Sequence, residues 1–351
     1  MANRKPFEEL QTQMFDLYAA KDFAGAFAVA ESASRSYPDR ATRTAYWKAC
    51  LLSLMGRPEQ AVSALIQGLA HGAWWAQPAL LQDPDLEAAR ALPRMAEVLS
   101  ESGRRWQEAQ ANARLEVFTL SLPNRSGPPN RSGAADGHNA ADGHNGPTEQ
   151  AAPPLMLALH WRNGSGPEFI ERFRPAAEDL DFLLASAQSS QICARGEYCW
   201  DDQAKGEAEV TEAFAELRAS HLFEANQVVL AGASQGGRLA IAMSLAGGPR
   251  ESYRPEQASL PSRGFVAVVP AVRDIDMFIP YMKTAAERGV RGYIITGERD
   301  QFLAKTSELQ CILDNNGVPC RMEVVEGMPH TFPKDFPERL ARAVRFVMGE
   351  G

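Results

Sequence analysis

At 351 residues the chain is longer than one hydrophobic core usually organises, so two domains are expected. Hydrophobic content of 45% and charged content of 23% describe an ordinary globular protein rather than a disordered or fibrous one. A net charge of −8 argues against nucleic acid or an anionic membrane as the main partner, which leaves small molecules and proteins.

The N-terminus, MANRKPFEELQTQ, carries no apolar run of signal-peptide length, and no window of about 18 apolar residues occurs anywhere. A cytoplasmic chain with no membrane span is therefore expected. Cys50, Cys193, Cys199, Cys311 and Cys320 lack CxxC or metal-ligand spacing and suit reduced, buried thiols. From residue 5 to about 108 the apolar spacing is helical, with breaks at Lys21-Asp22, Tyr37-Pro38-Asp39, Gly56-Arg57-Pro58 and Gly72. YAAKDFAGAFAV and SLMGRPEQAVSALI align with Ala26 opposite Ala61, a period of 35, and a third, degenerate helical pair spans Leu86 to Gln110. This region resembles tetratricopeptide repeats, in which small residues let paired helices approach closely. The resemblance implies either a concave docking surface for a protein partner or a helical cap on the neighbouring domain, with the cap favoured. Trp74-Trp75 is expected to pack against the second domain rather than to anchor a partner.

An all-α domain over 1–111 is thus followed by a second domain over 112–351. Its first strand is expected at Leu115 to Leu122. The segment from Pro123 to Pro154 contains tandem NRSG and AADGHN duplications and almost nothing that builds a core, so a low-complexity loop is expected at 123–154. His138 and His144 share an Asp-Gly-His-Asn setting within it, which is read as solvated sequence rather than a metal site.

Strands and helices then alternate. Leu155 to Leu159, Phe182 to Ser186, Val228 to Leu230, Gly264 to Val269, Gly292 to Thr296 and Arg321 to Glu326 read as buried strands. Helical stretches fall at Glu207 to Ser220, Ile279 to Arg288 and Gln301 to Asn315. The pattern predicts a doubly wound, mainly parallel sheet covered on both faces, with ligands beyond the carboxyl ends of the strands. Within it, Gly232-Ala233-Ser234-Gln235-Gly236-Gly237 joins a strand to a helix through a turn of small residues. With 27 glycines in the chain a chance GxSxG match is on the order of 0.1, so the context carries the argument. A serine there is held above the sheet in a strained conformation, and the Gln235 amide opens a helix whose positive end can stabilise an oxyanion.

Two later strands end in chemistry-bearing loops. Gly297-Glu298-Arg299-Asp300 follows one, and Gly327-Met328-Pro329-His330 follows the other. An attacking serine needs a base, and the base needs a carboxylate, so Ser234, His330 and Asp300 form the expected set. Glu298 is the rival acid, set second because it abuts the strand end. His221 is taken as a surface histidine at the opposite edge of the sheet. A second oxyanion donor is expected from the loop after the first buried strand, at Trp161 or Arg162.

These motifs resemble the α/β-hydrolase superfamily, and within it the phospholipase/carboxylesterase and dienelactone-hydrolase-like esterases, whose elbow often reads GFSQGG. Leu159-His160, Ser189-Ser190-Gln191 and Tyr198-Cys199-Trp200-Asp201-Asp202 are similar to that group as well, and the resemblance covers about Leu115 to Gly351. It implies a serine esterase working through an acyl-enzyme, with the Arg162 amide beside that of Gln235 in the oxyanion hole and no metal or cofactor. That group usually has glycine after the loop histidine. Here Trp161 stands there, as a substrate-binding residue that narrows the acyl pocket or shifts the oxyanion loop. The expected activity is cleavage of carboxylic esters or thioesters of small to medium molecules. Two alternatives stand beside it: an amidase or peptidase using the same residues, and a non-catalytic interaction protein that docks partners on its helices.

Overall fold

The structure, a computed structural model, describes residues 5–120, 152–249 and 260–350. The expected low-complexity loop, with His138 and His144, lies outside the described residues except for 152–154. The chain packs as two compact units. One comprises Met1–Arg114 with Arg162–Ser165 and Ser189–Asp201; the other comprises Leu115–Trp161, Gly166–Gln188 and Asp202–Gly351.

The first unit is built on α1 (Phe7–Ala19), α2 (Phe23–Ser36), α3 (Ala41–Leu54) and α4 (Pro58–Ala70). Two short helices, α5 (Gln77–Gln82) and α6 (Glu87–Arg90), and the longer α7 (Met95–Asn112) follow. Three of the four breaks read from sequence coincide with left-handed backbone, at Lys21, Gly56 and Gly72, where a helix cannot continue. Ala26 and Ala61, aligned by the 35-residue period, are both fully buried, as close helix packing requires. Phe7 stacks on Trp47 at 5.4 Å between ring centroids. Trp74 and Trp75 pack inside this unit: Trp75 Nε1 donates to the Thr42 carbonyl, and the Trp75 amide donates to Ser102 Oγ at 2.7 Å.

The strands are β1 (Glu116–Leu120), β2 (Leu155–Leu159), β3 (Leu183–Gln188), β4 (Ile192–Ala194), β5 (Glu197–Tyr198), β6 (Val228–Ala233), β7 (Ser262–Val268), β8 (Arg291–Gly297) and β9 (Cys320–Val325). Strands β4 and β5 form an antiparallel ribbon in the first unit, which the sequence reading did not foresee. It is tied to the helices by the Ala76 amide on the Cys193 carbonyl and by Trp106 Nε1 on the Ile192 carbonyl. Arg43 adds an ion pair to Glu197 at 2.8 Å.

The other seven strands make one sheet in the order β1-β3-β2-β6-β7-β8-β9. Among the described residues, the β1–β3 pairing of this sheet is antiparallel and the others are parallel. The central strands β2, β3 and β6 are buried at every residue, whereas the edge strands β1 and β9 are partly exposed. That is why LMLAL and VVLAGA read as unbroken apolar runs: both of their faces are covered. Helices α8 (Gly166–Asp179) and α13 (Phe336–Met348) cover one face, burying Phe169, Phe173, Leu340 and Val344 against Met156, Val229, Val266 and Ile295. Each such fully buried side chain contributes about 1.5–3 kcal/mol. On β6 and β7 packs α10 (Gln235–Ala246), with α9 (Gln203–Ser220) and α11 (Met282–Glu287) beside it, and α12 (Leu303–Asn315) packs on β9. A mostly parallel sheet flanked by helices fits the α/β-hydrolase arrangement. The expected strands and helices occur within a few residues of their predicted bounds; α8 and α13 were not anticipated.

Candidate active site

Parallel strands that share one direction bring their carboxyl ends to one edge of the sheet, and the loops leaving β2, β6, β7, β8 and β9 meet there. Ser234 follows β6 directly. It caps α10 with φ 52° and ψ −113°, a conformation that L residues other than glycine rarely adopt. Its amide donates to the Val268 carbonyl at 2.9 Å, and its own carbonyl accepts from the Arg238 and Ala271 amides, each at 3.0 Å. These bonds hold the strained residue in place.

The flanking glycines are required sterically. A Cβ on Gly232 would lie 2.5 Å from the Gly236 backbone, and one on Gly236 would run into the carbonyl oxygens of Leu159 and His160. Strand, helix and the β2 loop therefore approach only because both positions lack a side chain.

Asp300 follows β8 and His330 follows β9, and backbone bonds stitch their two loops together. The Glu298 amide donates to the Val325 carbonyl and the Arg299 amide to the Met328 carbonyl, both at 3.0 Å. The exposed Glu298 carboxylate accepts from the Gly327 amide at 2.8 Å, where the chain turns with φ 63°. His330 is thereby delivered between the serine and the acid: Nε2 lies 2.9 Å from Ser234 Oγ, and Nδ1 lies 3.0 Å from Asp300 Oδ1. The Asp300 side chain is completely buried. Burial on its own would raise its carboxyl, but the His330 hydrogen bond and charge, with the Phe302 amide and the Thr296 hydroxyl, hold it below its ordinary value. An ionised Asp300 only accepts, so the proton on His330 is assigned to Nδ1, leaving Nε2 to accept from the serine hydroxyl.

Of the rival residues, Glu298 holds the turn at Gly327 rather than the imidazole. His221 is exposed at the end of α9, next to the Ser220 hydroxyl at 2.8 Å. Thr296 and Phe302 were missed in the sequence. Each fixes one Asp300 oxygen at 3.0 Å, through the Thr296 hydroxyl and the Phe302 amide, and only their positions four before and two after the acid mark them.

The Gln235 amide opens α10 immediately after the serine, as expected. Trp161 is half-buried in an aromatic cluster, 5.1 Å from Phe332 and 5.8 Å from Phe169, with the Arg172 guanidinium 5.5 Å from its ring. This packs the loop after β2 against the loop that carries His330. His160, ahead of it, is fully buried, and burial pushes its imidazole down to about 4, so it is neutral. Its Nδ1 lies 2.8 Å from the Trp161 carbonyl and donates to it. Arg162 begins the segment that packs with the helical unit, and its side chain pairs with Asp201 at 3.0 Å.

Among the described residues, one group of side chains brings metal-ligand atoms together: Cys50, Asp83 and Asp85, in the helical unit. Its carboxylates are already hydrogen-bonded, Asp83 to the Tyr46 hydroxyl and Asp85 to that of Tyr18, and burial pushes the Cys50 thiol well up. Cys50, Cys193, Cys199 and Cys320 are buried as expected, whereas Cys311 is exposed on α12. No helix among the described residues is long and apolar enough to cross a membrane.

No protein-family model matches the chain, and no curated protein matches it. Among solved structures it is similar to an uncharacterised protein from Bacillus cereus ATCC 10987, with a TM-score of 0.51 at 20% identity over 99% of this chain and 100% of that one. That likeness is one of fold and extends over both units. The chain also matches a Bacillus cereus carboxylesterase, with a TM-score of 0.47 at 15% identity over 69% of this chain and 99% of that one. A further match is an esterase from Pyrobaculum calidifontis, with a TM-score of 0.43 at 14% identity over 70% and 91%.

Proposed function

We propose that the protein is a serine hydrolase that cleaves carboxylic esters or thioesters through an acyl-enzyme. The observation that carries this reading is the unbroken relay from Ser234 Oγ through His330 to Asp300, 2.9 and 3.0 Å long, on a serine held at φ 52°. His330 Nε2 takes the hydroxyl proton as Oγ bonds to the substrate carbonyl carbon, and the buried Asp300 carboxylate stabilises the imidazolium that results. The oxyanion is met by the Gln235 amide at the positive end of α10. When the tetrahedral intermediate collapses, the bond to the leaving oxygen or sulfur breaks and His330 returns the proton to it. Water, deprotonated by the same nitrogen, then releases the acid. Trp161, packed on Phe332 two residues from His330, is assigned to the acyl side of the substrate.

A fluorophosphonate probe tests this reading. Modification of Ser234, located by peptide mass mapping, with parallel loss of 4-nitrophenyl acetate hydrolysis is expected. Ser234→Ala should lower kcat by at least about 10³-fold while remaining folded. A folded Ser234→Ala protein that retains wild-type turnover would refute it.

A further inference from the structure

The loop leaving β7 wraps the nucleophile, and it carries a cation that the relay does not use. The Ala271 amide bonds the Ser234 carbonyl at 3.0 Å, and two residues further on Arg273 is exposed at the same edge of the sheet. Its guanidinium stands 5.6 Å from the centre of the Phe302 ring. That ring in turn meets His330 edge to face at 5.4 Å. Among the described residues no carboxylate lies within ion-pair distance of Arg273. Its acidic neighbours in sequence are engaged elsewhere. Asp274 Oδ1 accepts from the Asp276 amide at 3.0 Å, and both carboxylates, behind Glu308, help raise the pKa of Lys305.

We infer that Arg273 binds an anionic group on the leaving alcohol or thiol of the substrate, which makes esters with a negatively charged leaving group the preferred class. This rests on the hydrolase reading above. The side follows from the chemistry: the leaving atom must stay within reach of His330 Nε2 to receive its proton, so the leaving group departs beside the imidazole. One aromatic ring separates that imidazole from the guanidinium. The cation–π contact with Phe302 restrains the guanidinium, which lowers the cost of ordering it around a carboxylate or phosphate. In a chain with a net charge of −8 an anionic substrate is repelled at long range, and a cation at the mouth of the site offsets this.

The test compares phenyl acetate with 4-carboxyphenyl acetate, which differ only by a carboxylate on the leaving phenol. In Arg273→Gln the ratio of kcat/KM for the charged over the neutral ester should fall about tenfold, through KM. Arg273→Lys should recover part of that ratio, and about 0.5 M salt should shrink the difference between wild type and Arg273→Gln. A ratio unchanged in Arg273→Gln, or equal losses on both esters, would overturn the assignment. A loss confined to a phenyl ester with its carboxylate in the acyl chain would overturn it too. Binding of 4-hydroxybenzoate and phenol, followed by NMR, needs no turnover. Selective 4-hydroxybenzoate binding that Arg273→Gln abolishes would support the Arg273 site even if neither ester were hydrolysed, whereas binding that survives the substitution would overturn it.

Discussion

Two carboxylates, the buried Asp300 and the half-buried Asp85, one in each unit, have opposite electrostatic fates. Asp300 at the sheet edge is held below its ordinary value, because the stabilisation from His330, the Phe302 amide and the Thr296 hydroxyl outweighs the cost of burial. Asp85 in the helical unit is raised: burial dominates, the Tyr18 hydroxyl offsets only part of it, and neighbouring Asp83 adds repulsion. Asp300 accepts from three donors, His330, the Phe302 amide and the Thr296 hydroxyl, and Asp85 from the Tyr18 hydroxyl. The partners differ in kind as well as in number, since an imidazole can carry a positive charge and a phenol cannot. Asp300 therefore sits beside a group able to take up a proton and hold the charge, whereas Asp85 sits beside one that only donates a hydrogen bond.

The strongest way to break this comparison is Asp300→Asn, which keeps the shape and removes the charge. It should lower kcat on 4-nitrophenyl acetate by about 10³–10⁴-fold with KM little changed, whereas Asp85→Asn should change kcat less than about twofold. Equal effects would show that the relay around Asp300 is not a working one.

Next in size is the support beneath the serine. Gly236→Ala forces a methyl group against the Leu159 and His160 carbonyls and should cost about 1–3 kcal/mol in urea unfolding, with activity falling as the elbow shifts. Smaller effects are expected at Glu298, which holds the turn at Gly327. Glu298→Ala should lower kcat about two- to fivefold, and Glu298→Gln less, because the amide oxygen still accepts. A loss at Glu298 as large as that of Asp300→Asn would make Glu298 the acid of the relay.

The smallest effect is in the pH dependence of stability, and its sign differs between the two carboxylates. Asp300, depressed in the folded state, contributes stability above its unfolded value of 3.8, and that contribution is lost as pH falls through the folded value. Asp85, raised in the folded state, is disfavoured once ionised, so its penalty appears as pH rises above 3.8. Denaturant midpoints over about pH 3 to 6 should show the advantage of wild type over Asp300→Asn growing with pH, and that over Asp85→Asn shrinking. Slopes of the same sign would contradict the contrast.

What the sequence by itself determined is local. The small residues around Ser234, the alternation of apolar strands with helices and the loop residues after β8 and β9 were legible because each answers to a constraint within a few residues: a tight turn, a pleat, a strand end.

The sequence ranked Asp300 above Glu298 only by distance from the strand end, because two carboxylates two residues apart otherwise differ only in which way the loop turns them. Backbone bonds from Glu298 and Arg299 to the β9 loop decide that, burying one and exposing the other. Nor did the sequence reveal that Arg162–Ser165 and Ser189–Asp201 pack with the helices, where Trp75 finds its partners in Thr42 and Ser102. Those contacts join positions far apart along the chain, and no local period encodes them. Ser234 and His330 are 96 residues apart and stand 2.9 Å from each other because strand order, a property of the assembled sheet, brings their loops to one edge.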